Sequence, residues 1–322
     1  MTLHPSTRRF IDSLTSSGPQ AGDADVDVAR LRAARAERVP IDAPDIALVR
    51  DLAVPGPAGE VPVRHYHPAP AGPALPCVVY FHGGGYVVGD LETHDHIARL
   101  LAAETGATVV AVDYRLAPEH RFPAAVDDAF AATRWVADNA AELGADPARL
   151  AVAGDSAGGG LAAAVALMTR DGGGPEIAFQ ALVYPVTDLS GYPVAGDTPY
   201  GSRVSNGEGY FLTSEGMRWF AEQYLNEPGE GSDFRASPIR AADLAGLPPA
   251  LVVTADFDPL RDEGEDYARA LAAAGVPATT TRVNGGFHGM FGLGALLPVC
   301  RQAEEPVVAA LRSALGLTRP VG

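Results

Sequence analysis

The 322-residue chain allows one large α/β domain or two smaller ones; 47% of its residues are hydrophobic and 20% charged, which supplies a sizeable core and excludes wholesale disorder. Its formal charge is −16, and all 24 basic side chains are arginine. Such an acidic surface repels phosphate backbones and anionic headgroups, which argues against nucleic-acid and membrane-surface partners and is silent about a neutral substrate.

The opening segment, MTLHPSTRRFIDSLTSSGPQ, has no apolar stretch that could serve as a signal peptide. No run approaches the roughly 18 consecutive apolar residues of a membrane span. A cytoplasmic location without stable membrane association is therefore expected. Cys77 and Cys300 each adjoin an apolar run and read as buried, unbridged thiols.

The first forty residues alternate Ser/Gly/Asp-rich patches with an Ala/Arg segment, Val28 to Arg38, that predicts an amphipathic helix. Ile46–Val54 and Val61–Tyr66 then predict an antiparallel strand pair joined by a turn over Pro55–Gly59. Leu75–Phe81, Thr108–Asp113, Leu150–Gly154, Ala178–Tyr184 and Ala250–Thr254 are continuous apolar strand candidates, and Ala278–Val283 is a more polar, edge-ward one. Helical patterns fall between them at Ala124–Asn139, with Phe130, Trp135 and Val136 on its apolar side, and at Leu161–Met168, Asp262–Ala274 and Val307–Leu315. Strands alternating with helices imply a mostly parallel sheet covered on both faces. The stretch from about Asp188 to Leu247 breaks the alternation. It carries one helix candidate, Ser214–Leu225, and the aromatics Tyr210, Phe211, Trp219 and Phe220, and reads as a functional insertion. Those aromatics suit either packing within the insertion or a lipid-facing patch.

Gly154-Asp155-Ser156-Ala157-Gly158 lies between a strand and an Ala-rich helix. A serine hydroxyl attacks a carbonyl only when exposed, positioned and deprotonated by a neighbour. A sharp strand-to-helix turn supplies the first two conditions, and small residues two places either side let it close. Gly158 and Gly159 are expected to bring the helix start close to the substrate. The second motif, His82-Gly83-Gly84-Gly85, ends a strand. Consecutive glycines let main-chain N–H groups approach a developing oxyanion, a service worth about 3 kcal/mol per donor in other hydrolases. The amides of Gly84, Gly85 and Ala157, with Gly83, are the candidate donors. A phosphate-cradling loop would want a lysine, which the chain lacks. His82 is expected to hold the glycine loop.

Of eight histidines only His288 follows Ser156, in a loop just past a strand. It is the candidate general base. The acid should follow the strand Ala250–Thr254, where Asp256, Asp258 and Asp262 stand. Asp262 suits a helix N-cap; spacing leaves Asp256 and Asp258 equal. Tyr86, Tyr210, Phe211 and Phe287 are candidate substrate-pocket walls. His94-x-His96 alone is weak evidence for a metal, and no metal or organic cofactor is expected.

Several longer stretches carry a resemblance. They are Tyr80–Tyr86, Gly89–Asp95, Tyr114–Glu119 running on to Phe122-Pro123-Ala124, Gly154–Gly159, Asp258–Glu263 and Phe287-His288-Gly289. From about residue 45 the chain resembles the bacterial hormone-sensitive-lipase family, the H-G-G-G carboxylesterases. The resemblance implies an α/β-hydrolase fold, a mostly parallel eight-stranded sheet with helices on both faces and a helical cap. It places residues 45–187 and 248–322 in the core, and 1–44 and 188–247 in the cap. It implies that the carboxylate is the first residue of Asp258-Pro259-Leu260, giving Ser156, His288 and Asp258 as the triad. It implies a small-molecule substrate with a short-to-medium acyl or aryl ester, and a homodimer through the edge strand near Ala278–Val283. The same triad can cleave amides, so an amidase or deacetylase is the enzymatic alternative. A non-catalytic small-ligand receptor is the alternative from another class, and retention of all three triad residues argues against it.

Overall fold

The computed structural model describes residues 3–24, 26–37, 41–191 and 198–317. Two helices come first, α1 (Pro5–Ser16) and α2 (Val28–Ala36). Asp27 starts α2 by accepting the N–H of Arg30 at 2.7 Å, an N-cap that satisfies one of the orphan donors of the first turn. Arg38, expected in this helix, lies outside the described residues. A hairpin follows, β1 (Leu48–Gly56) and β2 (Gly59–His67), with Gly56 opposite Gly59 at the turn.

The alternating part runs β3 (Leu75–Phe81), α3 (Asp95–Thr105), β4 (Thr108–Val112), α4 (Ala124–Asp138), β5 (Ala145–Asp155), α5 (Ala157–Gly172) and β6 (Phe179–Val183). The short helix α6 (Gly201–Ser205) and α7 (Ser214–Tyr224) occupy the predicted insertion. β7 (Ala250–Phe257), α8 (Arg261–Ala273), β8 (Ala278–Phe287) and α9 (Pro298–Ala314) complete the chain.

Among the described residues eight strands form one sheet in the order β1-β2-β4-β3-β5-β6-β7-β8. Only β2 runs antiparallel to its neighbours; every other pair beyond β4 is parallel. Along β3 the side chains alternate between two cores, as strand geometry demands. Cys77, Val79 and Phe81 join the core under α4, α5 and α8, while Val78 and Tyr80 join the one under α3 and α9. Both faces are thus covered, and the central strands are apolar throughout because neither face meets water. Cys77 and Cys300 are buried and unbridged.

Several helices depart from the sequence reading, the unexpected five-residue α6 among them. α1 went unread because it buries only Thr7 and Ile11, too thin a stripe to register as periodicity. α3 went unread because its start, Asp95 and His96, reads as motif rather than helix. α9 begins nine residues ahead of the expected Val307, and it runs through Pro306, whose ring would ordinarily mark a break. In α4 the buried face is made of small residues with Val126 and Val136, while Phe130 and Trp135 are half-buried. Among the described residues no helix is long and apolar enough to cross a membrane.

The β-to-α connections of a parallel sheet all emerge at the carboxyl ends of its strands. Phe81, Asp155, Val183 and Phe257 therefore deliver four loops to one edge of the molecule.

Candidate active site

The chain turns from β5 into α5 at Ser156, whose φ of 55° and ψ of −120° lie in a region that side-chain-bearing residues seldom adopt. The turn is held by main-chain bonds: Ser156 N donates to Val183 O at 2.8 Å, and Gly160 N and Val186 N donate to Ser156 O at 3.1 and 3.0 Å. It also needs its glycines. A Cβ on Gly154 would lie 2.2 Å from Gly158 O, and one on Gly158 would lie 1.9 Å from Phe81 O. Gly158 and Gly159 therefore let α5 press onto the ends of β3 and of β6, where Gly159 meets Pro185. Neither lines the cavity above Ser156, contrary to expectation.

His288 follows β8 and reaches back over the sheet. Its Nε2 lies 2.9 Å from Ser156 Oγ, and its Nδ1 lies 2.8 Å from Asp258 Oδ2. Asp258 is fully buried, and its second oxygen accepts the N–H of Leu260 at 2.8 Å. The structure thus separates the three aspartates that spacing left together. Asp256 accepts the N–H of Gly285 at 2.9 Å, fastening the loop that carries the histidine. Asp262 makes no N-cap bond for α8; it accepts the N–H of Ser202 at 2.7 Å and so holds α6. Behind the imidazole, the Tyr184 ring packs 4.6 Å away, and Tyr184 Oη accepts the N–H of Phe291 at 3.1 Å.

The glycine loop meets Ser156 from the end of β3. Gly84 and Gly85 have φ of 128° and 62°, which only glycine adopts without strain. Among the described residues no acceptor engages the N–H of Gly84, Gly85 or Ala157, and the last heads α5, where the first amides have no partner in the helix. Gly83 differs from expectation. Its N–H is spent on Asp155 Oδ1 at 2.9 Å, and Tyr80 Oη donates to the same oxygen at 2.6 Å. Burial pushes the Asp155 carboxyl up, and these two donors work against that shift. Asp155 went unread because any residue can stand before the serine of the elbow; its acidity, beside a buried strand end, was the available signal.

His82 is buried beneath the loop. Its Nδ1 lies 2.8 Å from Gly83 O, and its ring stacks on Tyr114 at 4.3 Å. Burial and the neighbouring His94 push its pKa down to about 4, so it is a neutral strut near pH 7. Among the described residues no cluster of three or more His, Cys, Asp or Glu could hold a metal, His94 and His96 included.

Ser156 and His288 open into a cavity of about 1,210 Å³. Ile11 and Leu14 of α1 line it, as do Met217 and Phe220 of α7, together with Val186 and Leu293. Tyr86, Tyr210 and Phe211 stand in its wall as expected, with Phe211 against Gly289. Phe287 does not. It is fully buried in the core behind His288, its ring 6.2 Å from that of Phe10. The insertion's aromatics face inward: Tyr210 packs on Phe257 at 5.0 Å, and Trp219 and Phe220 pack edge to face at 5.3 Å.

Comparisons with known proteins place the fold and the family. The family model described as the alpha/beta hydrolase fold matches residues 78–292. Carboxylic ester hydrolase LipN of Mycobacterium tuberculosis is 42% identical over 322 residues, covering 98% of this chain and 84% of the relative. Carboxylesterase NlhH of the same organism is 42% identical over 295 residues, 90% of each. The solved structure of a hyperthermophilic esterase from the archaeon Pyrobaculum calidifontis superimposes with a TM-score of 0.87 at 43% identity, covering 99% of this chain and 100% of that one.

Proposed function

The chain belongs to the hormone-sensitive-lipase family of α/β hydrolases and is a carboxylic ester hydrolase, and from that premise we propose that Ser156, His288 and Asp258 perform the chemistry through an acyl-enzyme. The observation that carries this reading is the unbroken relay Ser156 Oγ, His288 Nε2, His288 Nδ1, Asp258 Oδ2, with links of 2.9 and 2.8 Å.

His288 Nε2 takes the hydroxyl proton as Ser156 Oγ bonds to the ester carbonyl carbon. Asp258 holds the imidazole in the tautomer that leaves Nε2 free to accept, and it stabilises the imidazolium that forms. The carbonyl oxygen becomes an oxyanion facing the N–H groups of Gly84, Gly85 and Ala157, which need no reorganisation to meet it. Collapse breaks the bond to the alcohol oxygen, which leaves with the proton from His288. Water then adds to the acyl carbon, giving its proton to His288, and Ser156 leaves with it.

Residues 1–44 and 188–247 serve as a cap over a core of 45–187 and 248–322. In support, α1 and α7 roof the cavity, while the strands among the described residues fall within residues 48–287. The substrates are soluble esters of short-to-medium acyl chains. A lipid-surface enzyme would present a contiguous apolar patch, whereas among the described residues the exposed large hydrophobics are the isolated Val204 and Leu296. β8 at the sheet edge supports pairing with a second copy. Two unbridged thiols support a cytoplasmic setting.

The test is a panel of p-nitrophenyl esters of increasing acyl length, with a matched anilide, on the wild type and on Ser156→Ala and His288→Ala. Both variants should lose at least a thousandfold in kcat. A fluorophosphonate should label the wild type at Ser156 alone. Equal hydrolysis by wild type and His288→Ala would sink the mechanism, and preference for the anilide would reassign the enzyme to amides.

A further inference from the structure

We infer that Arg32, on the N-terminal helix α2, is a positioning residue that fixes the far side of the oxyanion loop. The inference rests on the assignment of the Gly84 and Gly85 amides as oxyanion donors.

The loop is fastened at three points within the core. Gly83 N is held by Asp155, Val87 N and Val88 N close onto Gly84 O at 3.1 and 3.0 Å, and Ala117 N donates to Tyr86 O at 2.9 Å. The fourth fastening comes from outside the sheet. Arg32 Nε donates to Val87 O at 2.9 Å, and its Nη2 donates to Ala117 O at 2.9 Å. Its Nη1 and Nη2 also grip Glu119 Oε1 and Oε2 at 2.8 and 2.9 Å. One planar guanidinium therefore staples the turn after the glycines to the loop following β4, on both sides of the Tyr86–Ala117 bond. A lysine, with a single compact ammonium, cannot span two carbonyls and a carboxylate in this way.

The consequence concerns the glycines. Gly84 at φ 128° packs so closely under Val88 that a Cβ there would lie 1.9 Å from Val88 O. The direction of the Gly84 and Gly85 amides thus depends on where Val87 and Val88 sit, and Arg32 sets Val87. α2 buries only Leu31, so this guanidinium is a polar anchor between the N-terminal segment and the oxyanion loop. A role limited to closing a lid would act on substrate retention. A role in aiming amides acts on the tetrahedral state.

The experiment compares wild type, Arg32→Ala and Arg32→Lys with a p-nitrophenyl ester and two inhibitors. An aryl trifluoromethyl ketone forms a reversible tetrahedral adduct: Ser156 Oγ adds to the carbonyl carbon, its proton passes to His288, and the oxyanion enters the hole. The matching methyl ketone binds without adding. Arg32→Ala should lower kcat about tenfold with KM within about twofold, and weaken the trifluoromethyl ketone about tenfold while sparing the methyl ketone. Millimolar guanidinium should restore part of the lost kcat. Should Arg32→Ala fail to fold, Arg32→Lys carries the same test with a smaller loss. Unchanged kcat, a raised KM alone, or equal weakening of both ketones overturns the proposal. Ser156→Ala is run beside them, and activity in that variant would instead overturn the reading of Ser156 as nucleophile, and with it the proposed function.

Discussion

Gly83 N donates to Asp155 Oδ1 at 2.9 Å, although the two residues stand 72 positions apart in the chain. The residue that precedes the nucleophile thereby holds the first residue of the glycine loop, and Tyr80 secures the same carboxylate from the strand below. The nucleophile and its amides are registered through one buried side chain. Asp155→Ala should leave two buried donors without acceptors, at about 1–3 kcal/mol each. We expect kcat to fall about a hundredfold with a smaller change in KM, read by steady-state kinetics on a p-nitrophenyl ester. Kinetics within twofold of wild type would show that the clamp is dispensable.

The two neighbouring aspartates should separate cleanly. Asp258→Asn reverses the hydrogen bond at His288 Nδ1 and favours the wrong tautomer, so kcat should fall by about 10³–10⁴. Asp256→Asn keeps an amide oxygen for Gly285 and should cost less than about tenfold. Equal losses would remove the distinction drawn from their contacts.

The elbow glycines should tolerate no methyl group. Gly158→Ala places Cβ 1.9 Å from Phe81 O, a main-chain atom, where no rotamer can yield. Little folded protein should accumulate, as judged by soluble expression and the thermal midpoint. Gly229→Ala is the control: its nearest atom is a carboxylate oxygen of Glu227 at 3.9 Å, and its midpoint should match the wild type.

His65 should shape the acid limb of stability. It is buried, its Nε2 lies 2.7 Å from Thr108 Oγ1, and burial pushes its pKa down to about 4. Between the ordinary value near 6.5 and about 4 the unfolded chain binds a proton that the folded chain refuses, so stability falls as pH drops through this window. Asp113 acts in the opposite sense, because burial pushes its carboxyl up to about 6 and the folded state keeps a proton there. The clean readout is therefore a difference. Replacing His65 with Asn should flatten the pH dependence of unfolding free energy by up to one proton, about 1.4 kcal/mol per pH unit. Parallel curves from pH 7 to 4.5 would exclude this origin.

The sheet was legible because its central strands are buried on both faces and so read as continuous apolar runs between Gly and Pro. Ser156 and His288, which the structure brings to 2.9 Å, were singled out for a different reason. Ser156 sits in a G-x-S-x-G pattern between an apolar strand run and an Ala-rich helix run, and His288 is the one histidine after it. Asp258 was not decided by spacing, because side-chain direction after β7 depends on the register with β8. α1 stayed hidden because it meets its neighbours through a narrow stripe, and α3 because its first residues, Asp95 and His96, read as motif. Gly83 was assigned as a donor to substrate because its own acceptor, Asp155, is supplied by a strand distant in sequence. Phe287 adjoins His288 in the chain, but alternation along β8 turns it into the core.

The two thiols add a practical property. Cys77 and Cys300 are sealed in the interior, where burial pushes both up to about 12, and the chain contains no lysine. The thiols and lysine amines that ordinarily compete for acylating reagents are thus unreachable or missing. A chromogenic ester that acylates faster than it turns over should release its first equivalent almost wholly from competent centres, making the initial burst a direct molar count of working enzyme.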